Sequence, residues 1–314
     1  MGYSTFYNIL IFYCMKTNTY SVLGIGIATM DYLLTVPAYP AKDTKIHCTS
    51  WIKQGGGNCA NTLVALSRLG MNTHMYTCIG KDSVGNEIKK SLETEGVSTD
   101  YIIESGDTSP LSVVIVGSED NSRTIIHRQG AHYRYPLPLD KTILQNKDLL
   151  FCDGRFAPAA LPYAIEAREQ NIPVFVEAEK HEADIEKLIP YGDILVISRD
   201  YYNEVFGDKN FQLNLARLQN KGPGIIILTL GEQGSLCYTG KTLIQQKSHE
   251  TKVVDTTGAG DAFNAGFIFG IVHKWSIDKC LNFASRIAAI KCTKPGARSG
   301  LPYTDDVRFM YDGL

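Results

Sequence analysis

This chain predicts an α/β fold, a doubly wound and mostly parallel sheet flanked by helices, with a small β-sheet lid. Three observations carry that expectation. Residues 174–177, 194–197 and 225–229 are near-continuous apolar runs, which suits parallel strands covered on both faces. Stretches with helical spacing lie between them, so the connections read as strand–helix–strand crossovers. Two further segments, about 32–51 and 111–128, are rich in β-formers and do not fit a helix-covered sheet, so they read as a second sheet that projects from the first.

Taken in order, residues 21–28 mix apolar side chains with Gly24 and Gly26 and read as a buried strand, with Asp31 following its end. Residues 32–51 hold two β-rich pieces around Pro37-Ala38-Tyr39-Pro40, a hairpin or edge segment, because proline cannot donate to a ladder. Gly55-Gly56-Gly57 opens a helix over 58–69, and Gly70 stops it. A strand over 75–79 and a helix over 85–95 follow. Residues 112–116 and 124–127 pair as a hairpin around the polar turn 118–122. A strand over 149–152 and a helix over 159–169 lead into the three parallel strands, and helices over 262–273 and 278–292 end the fold. With no repeat, low-complexity stretch or linker, residues 21–314 are expected to form a single domain, preceded by a loose extension over 1–20.

Composition narrows the function classes. The 314 residues are 44% hydrophobic and 20% charged, as in ordinary soluble globular proteins. A formal net charge of −2 offers no footprint for nucleic acid or an acidic membrane, so phosphate binding would have to come from local geometry. The apolar run at 7–14 is far too short to span a bilayer and lacks the basic flank of a signal peptide. Phe6 stands where a myristoylation motif needs Ser or Thr. The 8 cysteines (Cys14, Cys48, Cys59, Cys78, Cys152, Cys237, Cys280 and Cys292) form no C-x-x-C pair and no zinc-spaced Cys/His cluster. They read as buried free thiols of a reducing, cytoplasmic compartment.

The most informative stretch is Asp255-Thr256-Thr257-Gly258-Ala259-Gly260-Asp261-Ala262-Phe263, a small-residue turn leading into an apolar helix. Small residues let backbone N–H groups converge, and the helix start adds the positive end of its dipole. A phosphate or a developing oxyanion would sit there. Asp261, a carboxylate beside an anion trap, suits proton removal from a hydroxyl that attacks a phosphoryl group. The plain alternative is a tight helix start with Asp as N-cap. No G-x-x-x-x-G-K-[ST] loop occurs, so this is not a Walker-type site.

Gly55-Gly56-Gly57-Asn58-Cys59-Ala60-Asn61 allows close backbone approach, and Asn58 and Asn61 share one helix face with amides suited to vicinal sugar hydroxyls. Against that stands Asn58 as a helix cap and Asn61 as a solvated residue. Asp31 could accept from sugar hydroxyls at a strand end, or be an ordinary loop aspartate. Thr229-Leu230-Gly231-Glu232-Gln233-Gly234 could run beside a nucleotide, or be a simple turn.

Through the motifs at 56–61 and 255–261, in that order, the chain resembles the ribokinase/PfkB family of carbohydrate and nucleoside kinases over about residues 22–307. Asp153-Gly154-Arg155, Val176-Glu177-Ala178-Glu179-Lys180 and Tyr191-Gly192-Asp193 look most like its ketohexokinase branch. The resemblance implies a ribokinase-like fold and ATP-dependent phosphorylation of a hydroxyl on a small sugar, a ketohexose among the candidates. It implies Asp261 as base and Gly258, Ala259 and Gly260 as anion hole. Asp31, Gly56, Gly57, Asn58 and Asn61 would grip the sugar, with Arg155 near it or near the phosphate. Thr229, Gly231 and Gly234 would line the ATP site, with Ser285 near the adenine. Asp255 and Thr257, with carbonyls around 293–297, would match a potassium site, while Mg2+ would come with ATP. A homodimer through exposed lid edges is expected as well.

Two departures stand out. Asp200 and Asn203 replace the Asn and Glu of the family's N-x-x-E motif, and Pro37 stands where a lid acid would meet a ketohexose. The alternatives are a nucleoside kinase of the same family and a catalytically silent binding or scaffold protein.

Overall fold

The computed structural model describes residues 19–105, 108–119, 123–130 and 139–310. Along the chain run β1 (Ser21–Ile25), β2 (Thr29–Val36), β3 (Ser50–Gly56), β4 (Asn72–Gly80), β5 (Val97–Ser105), β6 (Leu111–Gly117), β7 (Arg123–Arg128), β8 (Leu149–Asp153), β9 (Val174–Ala178), β10 (Ile194–Ile197), β11 (Ile225–Thr229), β12 (Ser235–Tyr238) and β13 (Leu243–Gln246). The helices are α1 (Asn58–Arg68), α2 (Ser83–Thr94), α3 (Ala157–Glu169), α4 (Ile185–Leu188), α5 (Arg199–Val205), α6 (Phe211–Gln219), α7 (Ala259–Val272), α8 (Ile277–Lys291) and α9 (Thr304–Val307), with short 3-10 turns between some of them.

Nine strands form the main sheet, in the order β13-β12-β11-β10-β9-β8-β1-β4-β5. From β5 to β11 every neighbouring pair is parallel, and β12 and β13 add antiparallel partners at one edge. Strand alternation builds two cores. Val22, Met75, Phe151, Phe175 and Ile227 pack with Leu63 of α1, Phe267 of α7 and Leu281 of α8. Leu23, Ile25, Leu150, Val176 and Leu195 pack on the other face with Ala160 and Tyr163 of α3 and Leu215 of α6. Apolar runs covered on both faces are what a helix-flanked parallel sheet requires.

The chain runs outward from β1 to β4 and β5, returns to β8, and then runs outward the other way to β11. That makes the β1/β8 junction the topological switch point, and open α/β sheets hold ligands outside the carboxyl ends of the strands there.

A separate four-stranded sheet, in the order β3-β2-β6-β7, forms the lid. β2 pairs antiparallel with β3 and parallel with β6, and β6 and β7 form the expected hairpin. The lid starts earlier and ends later than the expected 32–51. Thr29 already pairs with Gly56, because the β2–β3 ladder runs back to the end of the non-strand residues 26–28. Asp31 therefore lies inside β2 and not in a loop after β1. Gly55 and Gly56 end β3, and only Gly57 stands at the N-cap of α1.

Three strands, β5, β12 and β13, were not expected. β5 mixes Ser, Thr, Asp and Glu with its apolar residues, and β12 and β13 are four residues each, so pairing with neighbours decides them. Residues 1–18, and with them Cys14, lie outside the described residues, as do residues 120–122 of the lid turn. Cys59, Cys78, Cys152, Cys237, Cys280 and Cys292 are free and buried, but Cys48, in the loop before β3, is exposed. No described helix is long and apolar enough to cross a membrane.

Candidate active site

The turn before α7 is built by a few small residues. Gly258 is its N-cap and takes a left-handed conformation, φ 77°. A Cβ at Gly258 would lie 2.9 Å from the Ala297 carbonyl oxygen, so no larger residue fits without movement. Asp255 pins the turn from behind, accepting from the Thr257 N–H at 2.8 Å, the Thr257 hydroxyl at 2.7 Å and the Gly296 N–H at 2.7 Å. Burial alone would raise the Asp255 pKa, but these bonds and the charge of Lys291 hold it below the usual carboxylate value.

Among the expected anion-hole amides, that of Ala259 is already used, since it donates to the Thr256 carbonyl at 3.0 Å. The N–H groups of Gly258, Gly260 and Asp261 donate to no described residue, as the first amides of a helix must unless something caps them. Where Gly260 would carry a Cβ there is open space. A helix start with free amides and an open side is an anion site in the making.

Asp261 stands in the first turn of α7 and makes no capping bond, so the N-cap alternative does not hold. It is only 8% exposed, and its Oδ2 accepts from the Asn61 amide at 2.8 Å. Burial pushes its pKa up to about 7; the Asn61 bond and Arg298 work against that rise, while Glu179 and Asp153 add to it. A carboxylate tuned near neutral pH is suited to take a proton from an alcohol.

Around it lie acidic groups from the switch point. Asp153 ends β8, fully buried, and accepts from the Ile27 N–H at 3.1 Å and the Arg155 N–H at 3.0 Å. Burial raises its pKa to about 6. Burial also raises Glu177 well above its ordinary value, with Asp153 and Glu179 adding to the shift, and its Oε2 has no partner among the described residues. Glu179 forms an ion pair with Arg155 at 2.8 Å and accepts from the Asn58 amide at 3.4 Å.

The lid closes the other side. The Asp31 carboxylate is buried, accepts from the Thr29 hydroxyl at 2.7 Å, and is raised in pKa by burial. Gly56 lies directly against it, where any Cβ would collide with the carboxylate. Ser112 of β6 and His127 of β7 meet at 3.1 Å, and Arg123 of β7 donates to the Thr257 hydroxyl at 2.6 Å, tying lid to turn.

These groups line one cleft of about 620 Å³, within the usual range for small-molecule sites. Asp31, Gly57, Asn58, Asn61, Arg155, Thr229, Thr257, Gly258, Gly260 and Asp261 all reach it. Asn61 does so with its amide held between Asp261 and Arg298. Gly56 and Ala259 support the walls. The other residues expected at a nucleotide do not line the cleft. Gly234 lies against the Gln246 carbonyl in the turn between β11 and β12, Gly231 lies in the same turn, and the Ser285 hydroxyl, buried on α8, donates to the Lys247 carbonyl at 3.3 Å.

Lys291 bears on the segment where a potassium ion is expected. This fully buried side chain donates from its ammonium to the Asp255 carbonyl at 2.7 Å. The Asp255 carboxylate in turn serves Thr257 and Gly296.

Sequence reasoning assigned no role to Ser112, Arg123, His127, Glu177, Glu179, Asn264 or Arg298, and the first six also line the cleft. Strand alternation at 123, 125 and 127 could have shown which lid side chains share a face. Nothing local marks Arg298.

Comparison with known proteins agrees with this geometry. The chain is 27% identical over 309 residues to an ATP-dependent 6-phosphofructokinase of Thermoanaerobacterium thermosaccharolyticum, covering 93% of this chain and 94% of that one. It is 28% identical over 298 residues to the ketohexokinase of Mus musculus, covering 88% and 97%. The structure of Arabidopsis thaliana ribokinase complexed with ribose and ATP superposes with a TM-score of 0.83 at 24% identity, covering 94% of this chain and 100% of that one. The pfkB family carbohydrate kinase profile matches residues 20–304, so a buried aspartate at an open helix start, under a four-stranded lid, belongs here to a carbohydrate kinase of the pfkB family.

Proposed function

We propose that this enzyme transfers the γ-phosphoryl group of ATP to a hydroxyl of a small sugar held between the lid and the switch point. One observation carries the reading: Asp261 is buried with a pKa near 7 beside the unpaired amides that open α7. Asp261 takes the hydroxyl proton, the alkoxide oxygen bonds to the γ-phosphorus, the bond from that phosphorus to the bridging oxygen breaks, and ADP leaves. Amides of the α7 start stabilise charge on the transferring group, which is most of what phosphoryl transfer asks of a protein. Asp31, Asn58 and the lid face of Ser112 and His127 offer the donors and acceptors that a polyhydroxylated ligand needs. Thr229 and Asp200 line the far end of the cleft, where ATP would lie with its magnesium. A lid over the cleft would keep water from competing as acceptor. An enzyme of this kind would work in the cytoplasm.

A panel of pentoses, hexoses, ketohexoses, their monophosphates and nucleosides, read by ADP release, tests the proposal. Turnover is expected with a sugar, and kcat/KM should rise with pH through a midpoint near 7, because the base must be deprotonated. Turnover confined to nucleosides would replace the acceptor class, and no turnover with any member would leave a binding protein.

We also infer a homodimer joined through the lids, because Trp51 and Ile126 on lid strands are 62% and 57% exposed. Light scattering should give twice the chain mass; a monomer at working concentration removes the inference.

A further inference from the structure

We propose that Arg298 is a positioning residue: it locks the Asn61 amide in the one orientation that donates to the Asp261 carboxylate. Arg298 follows α8 and is 5% exposed. Its Nε donates to Asn61 Oδ1 at 2.9 Å, one Nη to the Ser91 hydroxyl at 2.9 Å and the other to the Gly56 carbonyl at 3.4 Å. Gly55 leaves room for the guanidinium, which fills the space a Cβ there would take. One side chain thus joins the end of β3, α1 and α2.

A guanidinium carries donors and no acceptor, so the amide atom facing it must be the oxygen. The Asn61 NH2 is then left to face Asp261 Oδ2, 2.8 Å away. Without the guanidinium, nothing at that position prevents the amide from turning over. Its oxygen would then confront a carboxylate oxygen, an arrangement tolerated only when Asp261 is protonated. Arg298 therefore favours the basic form of Asp261 in two ways, through the amide and through its own charge.

Few other groups can do this. Asp153 from β8, Glu177 and Glu179 from β9 and the loop after it, and Cys59 from α1 bear on Asp261, as do Lys291 from α8 and Arg298. Of these, Lys291 and Arg298 are cationic, and Lys291 is bonded to the Asp255 carbonyl.

The inference rests on Asp261 as the base, so its test reads the carboxyl group directly as well as the rate. The full-length protein is labelled with 13C at aspartate carboxyls, and the Asp261 resonance is assigned by its loss in Asp261→Asn. In Arg298→Gln the Asp261 midpoint should rise by about one pH unit, the low end of what loss of a nearby opposite charge produces. The acid limb of kcat/KM should move with it, so that the rate falls about fivefold at pH 7 and recovers toward wild type at pH 9, with sugar KM changed little. Arg298→Lys, which keeps a donor and the charge, should shift less. Asn61→Leu should reproduce the shift and serves if Arg298→Gln does not fold. An unchanged carboxyl midpoint in Arg298→Gln and Asn61→Leu, or a rate lost by one factor at every pH, would overturn the proposal. If instead Asp261→Asn keeps its turnover, the base assignment fails, while the carboxyl midpoint still reports on Arg298.

Discussion

Replacing Asp261 with Asn is expected to lower kcat by about 10²- to 10⁴-fold, the usual worth of a positioned general base, and at the same time to stabilise the free enzyme above neutral pH. Asparagine nearly matches aspartate in shape and can still meet the Asn61 amide, so sugar binding should survive. The stability gain follows from the sign of the pKa shift. Asp261 stands at about 7 in the folded chain against an ordinary value of 3.8. The folded state therefore keeps this proton longer than the unfolded one. Stability from this group is fully present below about pH 4, is lost as pH rises from about 4 to 7, and is then flat. A shift of this size corresponds to a handicap on the order of 4 kcal/mol at alkaline pH, and the uncharged variant does not bear it. Thermal melts without ligand should place Asp261→Asn several degrees above wild type at pH 8 and close to it at pH 4.5. Equal melting temperatures at pH 8, or near-normal turnover, would contradict the buried-base picture.

The second large effect is expected at the turn before α7, where a pair of glycine substitutions separates fold from chemistry. Gly258→Ala places a Cβ in a left-handed position at φ 77° and within 2.9 Å of the Ala297 carbonyl. The backbone alone makes this unfavourable by about 1–2 kcal/mol, and the contact forces the turn to shift. Melting temperature should fall, and kcat should fall about 100-fold, because a displacement of about 1 Å at a reacting centre has that effect. Gly260→Ala meets nothing within 4 Å and sits in the first turn of a helix, so stability should hold or rise. Its methyl group would still project into the space proposed for the transferring phosphoryl. The expected result is a loss of kcat without a loss of melting temperature. If Gly260→Ala turns over normally, the anion does not bind at this turn.

The free amides at that turn are not the three that Gly258-Ala259-Gly260 implies. Ala259 bonds back to Thr256, while Asp261 contributes its own N–H to the open set. The candidate base thus offers both the carboxylate and one of the amides, and holding both on one rigid helix keeps their separation fixed.

Local sequence determined a good part of this protein. The buried parallel strands, the helices between them, the lid hairpin and the glycine turns were legible, because apolar periodicity and turn chemistry act over a few neighbouring residues. So were Asn58 and Asp261 as cleft residues, since each sits in the first turn of a helix with a recognisable start. Tertiary structure alone decided the rest. The short strand β12 exists because β11 offers it a ladder, and β13 because β12 does, and Asp31 fell within the lid because β2 continues its pairing with β3 back to Thr29. Asn61 became the partner of Asp261, 200 residues away, and Arg298 the partner of Asn61 at a separation of 237. Lys291 reached the Asp255 carbonyl. Such pairings satisfy buried polar groups, and a buried group finds its partner by where the packed core leaves it, which no local pattern records.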